Sequence, residues 1–393
     1  MLAVSEGPAA ERVQATVNVA AIERNCARLR TGLAGGTQLC AVVKADGYGH
    51  GALTSSRAAL AGGADWLAVA GARELLELRA AGLEVPILVM GALTPVELDL
   101  ALAAGGDVVV WEERHLAAVA AAGGGRVHVK LDSGMGRLGT RRPEQASAVA
   151  EAAERTPGVE LAGVMTHFAT ADELDDDGFF AGQLRAFERW AGAIKQSRPG
   201  LLVHAANSAA MLRDEAAQFD MVRCGIAIYG MDPFGEDPAE RALEPALELR
   251  SYVADVKRCR AGESAGYGRR FVAERDTVVG VLPVGYGDGW RRNLTNGCDV
   301  LIGGSRHPLV GTISMDSATV DLGPDAGEAL LGQPAVLIGL QASRRITAEE
   351  IARRLDTINY EITCGLTPRV RRVYHRDGAP LAAPYAENEL GPA

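Results

Sequence analysis

Three things are scarce in this chain of 393 residues, and each scarcity removes a class of function. The first is paired cysteine. Cys26, Cys40, Cys224, Cys259, Cys298 and Cys364 have neither the close spacing of a zinc site nor the density of a disulfide scaffold, so they read as reduced thiols and no metal site is expected. The second is positive charge: 40 basic against 50 acidic residues leave a net charge of −10. No broad basic surface is available for a phosphodiester backbone, nucleic acid is not an expected partner, and any anion has to be bound locally. The third is a long apolar run. None is long enough to cross a bilayer, and the opening MLAVSEGPAAER lacks a basic start followed by an apolar core. The expectation is a cytoplasmic protein without membrane attachment.

What is present is alternation. Short apolar runs at Leu39–Lys44, Asp65–Ala70, Pro86–Met90, Asp107–Trp111, Val127–Asp132, Leu161–Phe168, Leu201–Asn207 and Met221–Tyr229 read as strands. Between most of them lie alanine- and leucine-rich stretches with charges at helical spacing: Arg73–Ala81, Val96–Ala104, Glu112–Ala122, Glu144–Arg155 and Phe179–Gln196. Eight strand-helix units in about 200 residues predict an α/β chain folded as a closed (β/α)8 barrel of the TIM type, over residues 20–245. Beyond Pro245 the segments become alternating and β-branched, as in Leu247–Val256, Asp276–Leu282 and Asp299–Ile302, with turns at Gly303-Gly304 and Gly323-Pro324. A mainly antiparallel β-domain is therefore expected over residues 246–380, joined by an N-terminal strand within residues 11–19, and the tail Glu387–Ala393 reads as frayed.

In such a barrel the C-terminal ends of the strands form the active face, and here those ends carry reactive side chains. The first strand ends at Lys44 and enters a glycine-rich loop, Ala-Asp-Gly-Tyr-Gly-His-Gly, whose backbone can approach a ligand closely. A lysine in a partly desolvated pocket loses its proton readily and can form an imine with an aldehyde. Arg137, beyond the fifth strand, can clamp a carboxylate in bidentate fashion. His167 ends the sixth strand, while Asn207 and Ser208 begin a helix after the seventh, where free N–H groups can receive an anion. Val222-Arg-Cys-Gly-Ile226 follows in the eighth unit, and barrels commonly hold phosphate after strands seven and eight. A phosphate-bearing cofactor together with a lysine on strand one points to pyridoxal 5'-phosphate.

These residues resemble the alanine racemase family of pyridoxal-phosphate enzymes, fold type III, through AVVKADGYGHG, KLDSGMGRLG, the HF and HAANSA segments, VRCGIAIYG, AGYGRRF, PVGYGDGW, GTISMD and INYEITC, in that order from about residue 13 to residue 375. The resemblance implies that Lys44 carries the cofactor as an imine. It further implies that Tyr48, Ser208, Gly225, Ile226 and Tyr360 bind the phosphate, that Arg223 faces the pyridine nitrogen, and that His167 and Asn207 lie beside the cofactor with His204 supporting Arg223. Tyr267 becomes the second acid/base, reaching the cofactor of the other subunit of a homodimer. Arg137 and the Met315 backbone hold the substrate carboxylate, with Asp316 nearby, and Lys130 matches a lysine that the family often carries as a carbamate orienting Arg137.

The implied activity interconverts L- and D-alanine by two bases, Lys44 and Tyr267 on opposite faces of the α-carbon, and supplies D-alanine for peptidoglycan. Arg223 stays protonated and gives no proton to the pyridine nitrogen, which keeps the electron sink weak and disfavours transamination. Related decarboxylases would need an acidic residue there. A non-catalytic cofactor-binding protein would lack the second domain and its Tyr267 motif, whereas serine or a broader set of amino acids remains an alternative substrate, since such a pocket discriminates an added hydroxyl only modestly. Ser314, Ser317, Gly47 and Gly287 depart from common family residues without removing a proposed catalytic group.

Overall fold

Runs of valine, leucine and alanine that are buried on both faces can only be satisfied inside a sheet covered on both sides, and the barrel achieves this. The computed structural model describes residues 11–175 and 177–381, so the leader reading of the first ten residues and the tail Glu387–Ala393 lie outside the described residues. The chain forms two compact units. One comprises Glu23–Tyr48 and Ala52–Ile228; the other comprises the described residues up to Ile22, Gly49–Gly51 and those from Tyr229 onward.

The first unit is a closed barrel of eight parallel strands, Gln38–Val42, Trp66–Val69, Ile87–Val89, Asp107–Val110, Gly125–Lys130, Val159–Met165, Leu202–His204 and Met221–Cys224, each paired with its sequence neighbour. Closure comes from the first strand pairing with the last, Cys40 opposite Arg223 and Ala41 opposite Cys224. All eight expected strands are present, several ending earlier than their apolar runs. Lys44 lies beyond its strand because the backbone turns left-handed after it, and Met221–Tyr229 divides at Gly225 into a strand and the 3-10 turn Ile226–Tyr229. Helices Ala72–Ala80, Pro95–Ala103, Glu113–Ala121, Pro143–Arg155 and Phe179–Gln196 cover the barrel near the expected positions. Thr94 caps the second of these by accepting from Glu97 N, with Pro95 at the first helical position. Val19–Thr31 and Ala52–Ala61 are further helices that the apolar pattern did not single out.

In the second unit a mainly antiparallel sheet runs, in spatial order, Asp255–Cys259, Thr277–Leu282, Ala318–Gly323, Ser305–Val310, Asp299–Ile302, Pro334–Gln341, Leu247–Tyr252, Gln14–Asn18, Arg371–Arg376 and Ala379–Pro380. Gln14–Asn18 pairs antiparallel with Leu247–Tyr252 and parallel with Arg371–Arg376. The expected single strand Leu247–Val256 is two strands, because the chain changes partner at Val253 and Ala254, whose N–H groups donate to Gln333 and Val281 respectively. Gly303 and Gly304 both take positive φ, 57° and 76°, and close the hairpin between Asp299–Ile302 and Ser305–Val310. Two helices in this unit, Ala348–Arg354 and Asn359–Cys364, were not anticipated.

Candidate active site

The lysine at the end of the first barrel strand is followed by one turn of left-handed backbone: Ala45, Asp46 and Tyr48 have φ of 52°, 53° and 54°, and Gly47 has 58°. Each non-glycine residue in that region costs roughly 1–2 kcal/mol, so surrounding bonds must hold the turn. They do. Ala45 N donates to Glu74 Oε1 at 2.7 Å, Ala70 N donates to Glu74 Oε2 at 2.6 Å, and Ala52 N donates to Asp46 Oδ1 at 2.9 Å. Glu74 thus ties the lysine turn to the first turn of helix Ala72–Ala80. Lys44 is left half-buried at the barrel mouth, while Tyr48 is turned inward and buried.

Tyr48 reaches the eighth strand-helix connection, where a Cβ on Gly225 would come within 2.3 Å of its hydroxyl oxygen; only glycine leaves that space open. Gly225 N donates to Ser208 Oγ at 3.0 Å and Ala227 N lies 3.4 Å from the same oxygen. Asn207 caps the short helix Ser208–Arg213 by accepting from Ala210 N at 2.9 Å. Tyr48 and Ser208 therefore bring two hydroxyls to the Gly225 backbone, with Ile226 next in sequence, groups of the kind that bind a phosphate.

Arg223, in the strand that leads to Gly225, is 2% exposed. Its Nη1 donates to His204 Nδ1 at 2.8 Å; its Nη2 donates to the carbonyls of Thr166 and Ala205 at 2.9 and 2.8 Å and faces His167 Nδ1 at 3.2 Å. Burial lowers its pKa to about 10, so it remains a cation at neutral pH. The same burial, with Arg223, Arg137, Lys130 and Lys44 around it, pushes the His167 imidazole well below the ordinary histidine range. His204 is driven down likewise by burial and by Arg223. Several cations facing two neutral imidazoles make a site that favours an anionic ligand.

Lys130 ends the fifth strand and is 4% exposed. Burial first, then Arg223 and Arg137, bring its pKa down to about 8, so a substantial neutral fraction exists near physiological pH. The loop beyond it is shaped by Asp132, which accepts from Gly134 N at 3.1 Å, from Gly136 N at 3.0 Å and from Arg141 Nε at 3.2 Å. Burial works to raise the Asp132 pKa, but these donors outweigh it and hold the carboxyl below its usual range. Arg137 projects from this loop and is exposed.

Sequence reasoning did not single out Glu74 or Asp132 for these tasks. The signal for Asp132 was available, since an aspartate two residues before a glycine in Asp-Ser-Gly-Met-Gly is a turn former that bonds its own following backbone. For Glu74 it was not, because the partner N–H of Ala45 comes from a distant part of the chain.

Four of the expected site residues lie in the second unit. Tyr267 is 74% exposed in the turn Tyr267–Arg269, which Gly266 enters at a φ of 77° and which Thr312 Oγ1 anchors by donating to the Tyr267 carbonyl at 2.7 Å. Met315 is exposed, and its carbonyl accepts from Gly287 N at 2.9 Å. Asp316 accepts from Arg369 Nη2 at 2.6 Å. Tyr360 sits in helix Asn359–Cys364, whose Asn359 side chain donates to Glu349 Oε1 at 2.9 Å and to the Asp232 carbonyl at 2.8 Å. Tyr267, Tyr286 and Met315 are each exposed large apolar side chains of this unit.

Comparison with known proteins shows the family. Residues 17–233 match the alanine racemase N-terminal domain and residues 246–374 the alanine racemase C-terminal domain. The chain is 42% identical over 348 residues to the alanine racemase of Halalkalibacterium halodurans, covering 86% of this chain and 89% of that protein. It is 39% identical over 373 residues to alanine racemase 1 of Bacillus subtilis, covering 93% of each. Among solved structures, alanine racemase from a D-cycloserine-producing Streptomyces lavendulae superposes with a TM-score of 0.87 at 37% identity, over 93% of this chain and 98% of that one. Alanine racemase from Bacillus anthracis with bound L-Ala-P gives 0.87 at 34% identity, over 96% and 98%.

Proposed function

Because this chain belongs to the alanine racemase family, a family of isomerases, we propose that it interconverts L- and D-alanine with pyridoxal 5'-phosphate as cofactor. The single observation that carries the cofactor assignment is the buried Arg223 cation two residues before Gly225, which packs with Tyr48 and Ser208, and Lys44 just beyond the strand paired to that of Arg223. Tyr48, Ser208, Gly225 and Ile226, joined by Tyr360, would hold the phosphate; Lys44 would hold the aldehyde carbon; His167 and Asn207 would flank the ring. When bound, the cofactor supplies an electron sink that acidifies the α-proton of the amino acid.

The chain's own residues then divide the work. The Lys44 amine, once free, takes or returns a proton on one face of the α-carbon. The Tyr267 hydroxyl, supplied by the second copy of the chain in a homodimer, does so on the other. Two proton carriers on opposite faces invert the centre, and each step leaves the pair ready for the reverse direction. Arg137, with the Met315 backbone, would clamp the substrate carboxylate. Lys130 supports Arg137 and Asp316 stands nearby. Arg223 keeps its own protons, so the ring nitrogen receives none and the α-carbon is where a proton returns. The substrate is expected to be small, and the product D-alanine to serve peptidoglycan in the cytoplasm.

The test is circular dichroism of L-alanine, and separately of D-alanine, followed over time with the protein and added pyridoxal phosphate. Decay of both signals to zero is expected. A stable signal from both, with the cofactor visibly bound, would overturn alanine as the substrate, and a parallel panel including serine would identify the replacement.

A further inference from the structure

Below Arg223 the barrel interior departs from the usual filling of branched apolar side chains. His204 Nε2 lies 2.9 Å from His128 Nδ1, and His128 Nε2 lies 3.0 Å from Asp107 Oδ2. Asp107 in turn accepts from Arg126 Nε at 3.1 Å, and Arg126, part-exposed, pairs with Glu160. His204 and His128 are 0% exposed and Asp107 is 3% exposed. A hydrogen-bonded file therefore crosses the barrel from Arg223 to a solvent-reachable arginine.

The file has one consistent direction. A guanidinium donates only, so His204 must present a lone pair on Nδ1 to Arg223; its one proton then sits on Nε2 and faces His128 Nδ1, which accepts it, leaving His128 Nε2–H for Asp107. Reversing the tautomers would set an N–H of His204 against an N–H of Arg223. The backbone is shaped for this arrangement. A register shift between Val127 and His128 brings Gly163 opposite the imidazole, where a Cβ would come within 2.5 Å of His128 Nδ1.

We propose that Asp107 and His128 are positioning residues that act through His204: they fix both histidine tautomers, commit the Arg223 Nη1 proton inward, and thereby favour racemisation over transamination. The inference rests on the reading of Arg223 as the group opposite the pyridine nitrogen. An anionic acceptor in series makes His204 Nδ1 a stronger acceptor, so Arg223 is a weaker donor toward the cofactor. In the competing reaction alanine is oxidised to its 2-oxo acid and the cofactor's aldehyde is reduced to an amine, nitrogen passing one way and oxygen the other.

The experiment compares the wild-type holoenzyme with Asp107→Asn, Asp107→Glu and Gly163→Ala, all carrying 15N-labelled histidine. Ring-nitrogen NMR shifts read the proton positions without turnover, and amine-form cofactor per racemisation event reads the partition. The wild type is expected to show two Nε2–H imidazoles at the pH of the activity assay. Asp107→Asn is expected to lose that pattern and to raise transamination per turnover by about tenfold, with KM for alanine little changed; Asp107→Glu should restore most of both. Gly163→Ala should displace the ring and shift the partition in the same direction without any change of charge. A wild-type imidazole pair in another protonation state, or a folded Asp107→Asn protein with an unchanged partition, overturns the proposal. A wild type that racemises no amino acid refutes the functional reading instead, and the NMR pattern distinguishes the two failures.

Discussion

At the residue scale the proposed site holds two lysines in different surroundings. Lys44 follows a strand, is half-buried, and is held by a left-handed turn that Glu74 secures through Ala45. Replacing it with alanine removes the amine proposed to hold the cofactor's aldehyde and to carry a proton. The Lys44→Ala protein should therefore fold, show no lysine-bound cofactor absorbance, and lose racemisation by several orders of magnitude in a circular dichroism assay. Lys130 is expected to offer a neutral amine at lower pH than an ordinary lysine, because burial lowers its pKa. With a pKa of about 8, its neutral fraction rises through pH 8, and uptake of carbon dioxide from 13C-labelled bicarbonate should rise over the same interval. The sign for stability follows from the same shift. The fold prefers Lys130 neutral, so protonation as pH falls from the ordinary lysine range through 8 opposes folding, and the relief is greatest in alkaline solution. Absence of a labelled carbonyl signal at pH 8 that Lys130→Gln also lacks would count against a carbamate there.

At the scale of elements, the loops carry the precision and the strands only aim them. Asp132 bonds two glycine N–H groups and Arg141 to shape the loop that presents Arg137. Asp132→Asn keeps the size but exchanges one acceptor for a donor facing those N–H groups, at a cost of about 1–3 kcal/mol. KM for alanine should rise by about tenfold with a smaller change in kcat, because Arg137 is proposed to bind the carboxylate rather than to move protons. Gly49 provides an independent check on the segment that follows Lys44. Its φ is 81°, and a Cβ would come within 2.1 Å of the Thr363 carbonyl oxygen in the helix that carries Tyr360. Gly49→Ala should lower the unfolding free energy by about 1–3 kcal/mol and weaken cofactor retention, both measurable by thermal melts with and without added pyridoxal phosphate.

At the scale of the whole molecule, Lys44 and Tyr267 belong to separate compact units, and Tyr267 is exposed on its own. The proposed homodimer gives that exposure a purpose, since each copy would complete the site of the other. Lys44→Ala and Tyr267→Phe proteins, each inactive alone, should regain about a quarter of wild-type activity when unfolded, mixed in equal amounts and refolded together, because half of the dimers would be mixed and each would hold one intact site. No recovery in a mixture shown by size to contain dimers would place Tyr267 outside the shared site.

The alternation of apolar runs with helical stretches determined the barrel from the sequence alone, because strands buried on both faces and amphipathic helices leave periodic marks that need no knowledge of partners. Lys44, Arg137 and Ser208 could be singled out as candidates for a related reason, since the strand ends and glycine-rich loops that carry them are themselves local features, whereas Tyr48 and Arg223 were marked through the resemblance to a family. Tertiary structure decided everything that needed a distant partner. It ended the first strand before Lys44, divided Leu247–Val256 between two neighbours, placed Glu74 on the lysine turn, and set Gly163 against His128. A lone histidine in Val127-His-Val carries no local mark of its role. Its meaning comes from Asp107 on one neighbouring strand and His204 on another part of the barrel, and only closure of the sheet brings the three within hydrogen-bonding distance.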